Sequence, residues 1–206
     1  MENKITLYGA SGHCKVIIDI IQKRECTIAA IIDDNPNVKS ILGSAVVSSA
    51  EVEVGLLKNV IMAIGNNVTR KKLVRQLGNS FATAIHPQAT IAAYTKIGVG
   101  TVVMAGAIIN PDVIIGEHCI VNTAATIDHD CVLANFVHLS PNASLAGGVK
   151  VEEGAHIGIG AIVIPEIKIG KWATIGAGAV IINDVPDYAV VVGNPGRIIK
   201  FNQNNE

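Results

Sequence analysis

The sequence predicts a two-part fold, a small α/β domain followed by a long parallel β-solenoid. Strands alternate with amphipathic helices in the first 84 residues, and from Ile85 onward an aliphatic residue recurs at every sixth position. The chain of 206 residues has room for two small domains, and its two parts differ in composition. We therefore expect domains at residues 1–84 and 85–184, followed by a C-terminal tail at 185–206 that caps the solenoid.

The repeat of six extends over nearly half of the chain without a break. Its seventeen positions are all Ile, Val or Leu: Ile85, Ile91, Ile97, Val103, Ile109, Ile115, Val121, Ile127, Leu133, Leu139, Leu145, Val151, Ile157, Val163, Ile169, Ile175 and Ile181. This period fits neither a helix nor a half-buried strand, and it suits short strands joined by tight turns. Three hexads per coil would form a triangular prism with an aliphatic interior, in which residues eighteen positions apart are stacked. Residues 85 to 180 supply sixteen hexads, which is a little over five coils and a rod of roughly 25 Å.

The first 84 residues predict a parallel sheet of Rossmann-like α/β type. Strands are expected at KITLY, TIAAII and NVIMAI, and a helix is expected after the GASG turn because its apolar residues share one face. A second helix is expected at VTRKKLVRQL, with Asn66 or Asn67 as its cap. Ligands of such sheets bind at the carboxyl ends of the strands. Near the other terminus, VPDYAVVVGNPGRIIK predicts a strand and turn that pack back on the solenoid.

Composition narrows the possible partners. The net charge is −1, no basic run occurs and aromatic residues make up 3% of the chain, so neither nucleic acid nor anionic lipid is an expected partner. The N-terminus lacks a signal pattern, and no apolar run approaches the length that a bilayer requires. We expect a cytoplasmic protein that binds small molecules or copies of itself. The four cysteines match neither a metal motif nor a disulfide framework and are expected as small buried residues.

An Asp-His-Asp run interrupts the apolar solenoid at Asp128, His129 and Asp130. The hexad arithmetic stacks His129 on Gly147 and Asp130 on Gly148, so no side chain is expected above the imidazole. An aspartate that accepts a hydrogen bond from one ring nitrogen fixes the tautomer and raises the basicity of the other. The run therefore predicts a general base beside a gap for a substrate atom, with the Gly147 N–H near an oxyanion. The alternative is a corner histidine satisfied by its neighbours.

The other histidines of the solenoid divide into two groups. His138 is expected to stack beneath His156, where two imidazoles could flank a ligand or bind water at a prism edge. His86 and His118 are expected to be structural. The histidines at 118, 129, 138 and 156 contain no pair five residues apart, as the metal triad of γ-type carbonic anhydrases has, so no metal is expected.

The turn at residues 9–13, GASGH, is a candidate phosphate site. It lies between a strand and a helix, where free N–H groups and the helix dipole favour anions. Asp33 ends the next strand about twenty residues on, where an acidic residue would reach a ribose or base. The turn lacks the complete GxGxxG of dinucleotide sites, and the GxxxxGK[ST] of NTPases is absent. The alternative is an ordinary tight turn of an α/β domain.

Together these motifs resemble one family over essentially the whole chain. The resemblance rests on GASGHCK after a strand, IIDD, AIGNN, IHPQATI, the hexads with NTAATIDHDCVLANFVHLSPNASLAGGV, and the closing VVVGNPGRIIK. The family is the sugar O- and N-acyltransferases with hexapeptide repeats, which includes UDP-N-acetylbacillosamine, GDP-perosamine and sialic acid acetyltransferases. It implies a left-handed parallel β-helix that forms a homotrimer, with active sites between subunits and acetyl-CoA between neighbouring helices.

The resemblance also implies roles for individual residues. His129 would be the catalytic base, oriented by Asp128 or Asp130, where the family commonly has Glu. Residues implied to bind the nucleotide sugar are Gly9, Ser11, Gly12, His13, Asp33, Asp34, Gly65 and Asn122. Residues implied to contact acetyl-CoA are His138, Gly147, His156, Gly193, Asn194 and Pro195.

The expected function is acetyl-CoA-dependent N-acetylation of a nucleotide-linked 4-amino-4,6-dideoxyhexose, with a UDP-linked sugar favoured. The alternative within the enzyme class is O-acetylation of a sialic acid or related sugar. Three further readings are a metal-dependent solenoid enzyme, a nucleotidyltransferase and an inactive trimeric scaffold. The first lacks the histidine spacing and the second lacks the arginine of its glycine-rich opening, whereas the third predicts that nothing binds beside Gly147.

Overall fold

The computed structural model describes residues 4–35, 37–52, 57–78 and 80–203. The elements of its first part are β1 (Lys4–Tyr8), α1 (Gly12–Lys23), β2 (Thr27–Ile32), β3 (Ser40–Ile41), β4 (Ser44–Ala45), a 3-10 helix (Ser49–Glu51), β5 (Val60–Met62) and α2 (Asn67–Leu77). Strands β1, β2 and β5 form a parallel sheet in the order β2–β1–β5. The predicted strands and helices are therefore confirmed, although β5 is shorter than NVIMAI.

The two helices form for different reasons. Helix α1 has an apolar face that buries Cys14, Ile17, Ile18, Ile20 and Ile21 against the sheet. Helix α2 packs the half-buried Leu73, Val74 and Leu77 against the sheet, and its fully buried residues are the polar Asn67 and Arg70. Its cap is Asn66, whose side chain accepts a hydrogen bond from the Thr69 N–H at 2.9 Å. Of the two expected caps, Asn66 and Asn67, the structure therefore has Asn66. No helix among the described residues combines the length and apolar character needed to cross a bilayer.

Seventeen two-residue strands follow between residues 80 and 203. They are β6 (Ala84–Ile85), β7 (Thr90–Ile91), β8 (Lys96–Ile97), β9 (Val102–Val103), β10 (Ile108–Ile109), β11 (Ile114–Ile115), β12 (Ile120–Val121), β13 (Thr126–Ile127), β14 (Val132–Leu133), β15 (His138–Leu139), β16 (Ser144–Leu145), β17 (Lys150–Val151), β18 (His156–Ile157), β19 (Ile162–Val163), β20 (Lys168–Ile169), β21 (Thr174–Ile175) and β22 (Val180–Ile181). They form three parallel sheets, which make the faces of a prism. Face 1 contains β6, β9, β12, β15, β18 and β21; face 2 contains β7, β10, β13, β16, β19 and β22; face 3 contains β8, β11, β14, β17 and β20.

The register of the solenoid confirms the hexad arithmetic. Each strand pairs with the one three strands later, so that Val121 lies beside Leu139 and His138 beside His156. The aliphatic hexad residues and small residues such as Ala125 form one continuous buried core, to which Cys119 and Cys131 also belong. Cys14 is buried in the N-terminal core and Cys26 is half-buried, and all four thiols are free.

The corners of the prism require a specific backbone conformation. From Gly100 to Gly178, one residue at every sixth position has a positive φ, and these residues include Asp130 at φ 60°. Glycine adopts this region freely, and Asn or Asp adopts it more readily than most other residues. A corner therefore holds Asp130 beside His129.

The C-terminal segment forms a hairpin that continues face 1. Its strands are β23 (Ala189–Val192), parallel to β21, and β24 (Arg197–Phe201), antiparallel to β23. In the connecting turn the Gly193 carbonyl accepts a hydrogen bond from the Val180 N–H, so the hairpin covers the last strand of face 2 as well. The predicted strand and turn that pack back on the solenoid are confirmed, while the boundaries at residues 84 and 184 stay predictions.

Candidate active site

His129 lies at the corner between β13 on face 2 and β14 on face 3. Its Nδ1 is 2.7 Å from Asp130 Oδ2, so this carboxylate and not Asp128 contacts the ring. Asp128 instead accepts hydrogen bonds from the His129 backbone N–H and from Asn110 Nδ2, both at 2.8 Å. The imidazole is 61% exposed and its Nε2 points away from the pair with Asp130. The two aspartates flanking the ring therefore perform different tasks.

The electrostatics of this corner favour a basic imidazole. The hydrogen bond to Asp130, followed by the charge of Asp128, raises the pKa of His129 above its ordinary value. The hydrogen bonds from Asn110 and from the His129 N–H lower the pKa of Asp128, so that this carboxylate stays ionised. Because a carboxylate can only accept, Nδ1 carries the proton and Nε2 is the free base.

Gly147 leaves the predicted gap beside the imidazole. A Cβ at this position would lie 2.8 Å from Cε1 and 2.9 Å from Nε2 of His129, which is too close for any side chain. The neighbouring Gly148 N–H donates to the His129 carbonyl at 3.0 Å, whereas no hydrogen bond from the Gly147 N–H occurs among the described residues. A groove of about 330 Å³ lies nearby on face 2, and its lining includes Asp128, Asn110 and Ala146.

A second cluster of predicted residues lies where α1 and α2 meet face 1. His138 and His156 stack with centroids 4.7 Å apart, and the His13 ring is 6.3 Å from His138. His138 Nδ1 lies 3.3 Å from the Gly65 carbonyl and its Nε2 lies 3.2 Å from Asn122 Nδ2. The carbonyl only accepts, so Nδ1 donates to Gly65 and Nε2 accepts from Asn122.

These buried imidazoles are neutral. Burial, followed by the repulsion that a protonated His138 would meet from a protonated His156 and from Arg70, lowers the pKa of His138 to about 3. Burial also lowers the pKa of His13 to about 4 and lowers the pKa of His156. His156 Nε2 is held at 2.8 Å from the Ser140 hydroxyl. The cluster therefore offers polar rings without adding positive charge.

The GASGH turn is built for close approach to a ligand. Gly9 has φ 108°, and a Cβ there would meet the Ala63 carbonyl oxygen at 2.8 Å, so only glycine fits. Ser11 is the N-cap residue of α1 but makes no side-chain capping bond, which leaves the first N–H groups of the helix available to an anion. Gly12 begins the helix, and nothing lies within 4 Å of the position that its Cβ would take.

The two predicted acidic residues brace this region of the protein. Asp33 Oδ2 accepts from the Ala10 N–H at 2.7 Å, which ties the turn to the end of β2. Asp34 accepts from the Tyr8 hydroxyl at 2.9 Å and from the Ser49 N–H at 2.8 Å, and these bonds lower the pKa of Asp34. Both carboxylates lie at the carboxyl end of β2, as expected, but their oxygens already have partners within the protein.

Arg70 is a residue of this region that sequence analysis missed. Its side chain is buried and donates to the backbone carbonyls of His118 and Ile64 at 2.9 Å and of Phe136 at 3.0 Å. It thereby joins α2 and the β5–α2 loop to two coils of the solenoid. The nearby Asn67 donates to the Gly154 carbonyl at 3.0 Å. The sequence did contain a signal, because Asn67 and Arg70 lie at i and i+3 on one side of α2. That spacing does not show which part of the protein the two side chains contact.

A cavity of about 1020 Å³ opens between α2, face 1 and the C-terminal hairpin. It is lined by Gly65, Asn66, Asn67, Val68, Lys71, Lys72, Arg75, Gln76, His138, Gly154, His156, Trp172, Thr174, Tyr188, Asn202 and Gln203. Gly193, Asn194 and Pro195, predicted to face the nucleotide of CoA, lie in the hairpin turn and do not line this cavity. No group of three or more His, Cys, Asp or Glu that could hold a metal ion occurs in the described part of the chain.

The structure thus brings the predicted residues together as two groups. His13, Gly65, Asn122, His138 and His156 meet on face 1. His129, the two aspartates and Gly147 lie at the corner between faces 2 and 3, which is the opposite side of the prism. Asn110, which holds Asp128, was missed although subtracting eighteen from 128 would have found it.

Comparisons with known proteins agree with this architecture. Residues 4–77 match the protein family described as PglD N-terminal domain. Residues 148–183 match the family described as bacterial transferase hexapeptide (six repeats). UDP-N-acetylbacillosamine N-acetyltransferase of Bacillus subtilis (strain 168) is 43% identical over 112 residues, a match that spans 49% of this chain and 51% of that relative. This chain thus aligns with about half the length of the curated relative.

Several solved structures match nearly the whole chain, and two of them are described here. A variant of perosamine N-acetyltransferase from Caulobacter crescentus, in complex with CoA and GDP-perosamine, is 39% identical, with a TM-score of 0.91 and coverage of 96% of this chain and 97% of that one. The acetyltransferase domain of PglB from Neisseria gonorrhoeae FA1090, in complex with acetyl coenzyme A, is 35% identical, with a TM-score of 0.88. The match covers 97% of this chain and 100% of that one.

The fold and site define a hexapeptide-repeat acyltransferase, and the repeat indicates a left-handed β-helix. The expected architecture, a Rossmann-like α/β domain followed by that helix, is confirmed. Since the perosamine enzyme is covered almost completely at 39% identity, the chain belongs to the family of hexapeptide-repeat sugar N-acetyltransferases.

Proposed function

We propose that this protein transfers the acetyl group of acetyl-CoA to the 4-amino group of a nucleotide-linked 4-amino-4,6-dideoxyhexose. The observation that carries the proposal is the exposed His129, with Nδ1 held by Asp130 and Nε2 facing the space that Gly147 leaves open. The sugar N-acetyltransferases among the similar proteins support the choice of an amine as acceptor.

The chemistry follows from the groups at this corner. A neutral amine attacks the thioester through its lone pair and loses a proton as the C–N bond forms. His129 Nε2 would accept that proton while Asp130 stabilises the imidazolium. The Gly147 N–H, which has no partner among the described residues, would donate to the oxyanion of the tetrahedral intermediate. Collapse of the intermediate breaks the C–S bond and releases the amide product, and the CoA thiolate takes the proton that His129 holds, so no covalent enzyme intermediate is needed.

The nucleotide sugar is proposed to bind at the GASGH turn. The uncapped first turn of α1 at Ser11 and Gly12 offers N–H groups and a positive dipole end to the diphosphate. His13, the last residue of the turn, and Gly65 and Asn122 all lie near His138 and would contact the sugar. Asp33 accepts a hydrogen bond from the Ala10 N–H and so would hold the turn in place for the diphosphate.

A UDP-linked acceptor is favoured over a GDP-linked one. Guanine presents two adjacent N–H donors that a carboxylate can accept, and Asp34 has few lone pairs left for them because its oxygens already accept from Tyr8, Ser48 and Ser49. Uracil makes no such demand. The name of the curated Bacillus relative agrees with a UDP sugar, whereas the Caulobacter structure contains a GDP sugar.

The active form is proposed to be a homotrimer with active sites between subunits. Within one chain His129 lies on the opposite side of the prism from the GASGH turn and from His138, so a site that uses both needs a second copy. The exposed Ile108, Ile162 and Ile164 on and beside face 2 support a contact between copies next to the groove at Asp128.

The experiment is to measure CoA release from acetyl-CoA with UDP-, dTDP- and GDP-linked 4-amino-4,6-dideoxy sugars, beside free sialic acid. We expect turnover with a nucleotide amino sugar and the highest kcat/KM with a UDP-linked one. Preference for a GDP-linked sugar would overturn the nucleotide assignment alone. Turnover with sialic acid only would move the same His129 chemistry to a hydroxyl acceptor, and no turnover with any acceptor would contradict the proposed function.

A further inference from the structure

Asn110 lies directly beside Asp128 on the neighbouring coil. Strands β10 and β13 pair in register, and the Asn110 N–H continues their ladder by donating to the Ile127 carbonyl at 3.0 Å. The two side chains therefore project from adjacent coils at the same point of the prism, and Asn110 Nδ2 donates to Asp128 Oδ1 at 2.8 Å. A hydrogen bond to an ionised carboxylate is about twice as strong as one between neutral groups. We therefore expect this contact to fix the position of Asp128.

Two donors hold the Asp128 carboxylate away from the imidazole. Its Oδ1 accepts from Asn110 Nδ2 and from the His129 backbone N–H, both at 2.8 Å. The backbone donor belongs to the adjacent residue of the same corner, whereas Asn110 belongs to another coil. To reach the ring, the Asp128 carboxylate would have to leave Asn110.

Asp130 has no such donor. Its stacking neighbours are Asp112 on the preceding coil and Gly148 on the following coil, and neither side chain can donate a hydrogen bond to a carboxylate. Its Oδ2 lies 2.7 Å from His129 Nδ1, and Asp130 makes no other side-chain hydrogen bond to the residues that the structure describes. The different roles of the two aspartates thus follow from the stacked residues, because an amide lies beside one carboxylate and not beside the other.

Three further charged side chains lie on the corners and strands packed around His129. Asp112 lies at the corner of the preceding coil and Glu166 at the corner two coils after His129. Lys150 lies on β17, which pairs with the strand that follows His129. All three are unchanged by a substitution at position 110, so a change in the titration of His129 reports the position of Asp128.

Release of Asp128 would change what the imidazole can do. Opposite charges attract more strongly as their separation falls, so a free carboxylate is drawn to the imidazolium. A second carboxylate on the ring would stabilise the charged form and cover Nε2, the nitrogen that faces the space left by Gly147. The base would then hold its proton more tightly and be less accessible to an amine.

We propose that Asn110 is a positioning residue of the active site, which holds Asp128 so that Asp130 alone pairs with the ring and Nε2 of His129 stays free. The inference rests on the proposed function, in which His129 is the base. Asn110 makes no hydrogen bond to the ring itself in the described part of the chain, and it acts through Asp128.

The test is Asn110→Ala in the full chain. Asn110 is half-buried on the outside of the prism and its ladder bond uses only the backbone, so the fold should persist. The titration midpoint of His129 should rise by about half a pH unit, because a second carboxylate stabilises the imidazolium. Since the base must be neutral to act, the acid limb of kcat/KM should move to higher pH. At neutral pH kcat/KM should fall roughly 3- to 10-fold.

Asp128→Asn completes a double-mutant cycle. Without the Asp128 carboxylate, Asn110 has no charge to hold, so addition of Asn110→Ala to Asp128→Asn should move the midpoint by less than about 0.1 pH unit. A purely structural role of Asn110 would instead lower activity in both backgrounds and leave the acid limb in place.

NMR of protein labelled with ¹³C at histidine Cε1 measures the midpoint without a substrate. Burial lowers the pKa values of His13 and His118 to about 4 and that of His138 to about 3, which separates their titrations from that of His129. The spectrum of His129→Ala assigns the signal. Because neither acetyl-CoA nor a sugar is needed, failure of the sugar panel would contradict the proposed function and leave this measurement decisive.

Asn135→Ala is the matched control. Asn135 also joins two coils, since its Oδ1 accepts from the Glu117 N–H at 2.8 Å, but it lies at the corner between faces 3 and 1. This variant should leave the titration of His129 and the acid limb of kcat/KM unchanged.

Three results would overturn the inference. An unchanged midpoint in Asn110→Ala would show that Asp128 stays in place without the amide. A lower midpoint would show that Asn110 brings the charge of Asp128 toward the ring instead of holding it away. An equal shift in the presence of Asp128→Asn would show that Asn110 affects the base without Asp128.

Discussion

At the scale of single residues, the corner around His129 separates tasks that its sequence leaves together. Asp128 and Asp130 flank the histidine symmetrically in the chain, but only Asp130 contacts the ring, at 2.7 Å. Asp128 is turned to Asn110, one coil earlier, and to the backbone of His129. In the proposed reaction Asp130 orients the base, and Asp128 holds the corner and contributes its charge.

Replacement of His129 tests its role as the base. We expect His129→Ala to lower kcat by roughly 10²- to 10⁴-fold, because proton transfer from the amine loses its acceptor. Trimer formation and CoA affinity should stay nearly unchanged, since the imidazole is exposed and packs little. Steady-state kinetics and calorimetry measure these quantities, and normal turnover by the variant would show that another group is the base.

Asp130→Asn tests the orienting residue through the pH profile. Asparagine tolerates the positive φ of this corner, so the backbone should be preserved. The charge and hydrogen bond of Asp130 raise the pKa of His129 by favouring the imidazolium, and the base must be neutral to act. The acid limb of kcat/KM should therefore move to lower pH in the variant, with a moderate loss of maximal rate. Asp128→Asn is the matched comparison, and a greater loss of rate there would transfer the orienting role to Asp128.

At the scale of elements, helix α2 is attached to the solenoid by polar groups. Arg70 donates to carbonyls on two coils and in the β5–α2 loop, and Asn67 binds a third coil. Burial lowers the pKa of Arg70 to about 10, and the guanidinium remains charged at neutral pH. Since the same loop presents the Gly65 carbonyl to His138, these bonds also set the geometry of the proposed acceptor site.

Arg70→Met measures what this attachment contributes. Methionine fills similar volume but leaves buried carbonyls without donors, so we expect the free energy of unfolding to fall by about 2–4 kcal/mol. Arg75→Met on the exposed face of the same helix should cost less than about 0.5 kcal/mol. Urea denaturation gives both values. Equal losses for the two variants would contradict a specific role for Arg70.

At the scale of the whole molecule, the two halves of the proposed site lie on opposite sides of one prism. His129 is at the corner between faces 2 and 3, while the GASGH turn and His138 are at face 1. Parallel packing of copies would bring the corner of one subunit to the first face of its neighbour. In the proposed homotrimer, every active site would depend on two chains.

Mixed trimers test this dependence. His129→Ala removes the base, and Gly12→Asp places a negative charge where the sugar diphosphate is proposed to bind, at a position with space for a side chain. Each variant alone should be nearly inactive. Co-expression in equal amounts should restore about one quarter of the parental activity, because a random neighbour supplies each intact half with a probability of one half. No restoration would mean that both halves act within one chain, while Gly12→Ala controls for the loss of glycine.

The solenoid and the stacking within it follow from the amino-acid sequence. In a coil of eighteen residues, spatial neighbours lie at a constant sequence offset, so the neighbours of His129 and His138 were predictable as Gly147 and His156. The same rule places Asn110 beside Asp128. Local patterns also predicted the strands and helices of the N-terminal domain and the family resemblance. Each of these patterns depends on residues that are close together in the chain.

Tertiary structure alone decided which aspartate contacts the ring, how α2 meets face 1, and where the cavity beside α2 opens. The first depends on the side-chain rotamers at one corner, and the other two depend on the docking of a helix far away in sequence. Arg70 and its carbonyl partners on the solenoid are 48 and 66 residues apart. No sequence periodicity connects Arg70 with these carbonyl groups. A helix can pack on a prism in many orientations, and the polar contacts between α2 and face 1 select one of them.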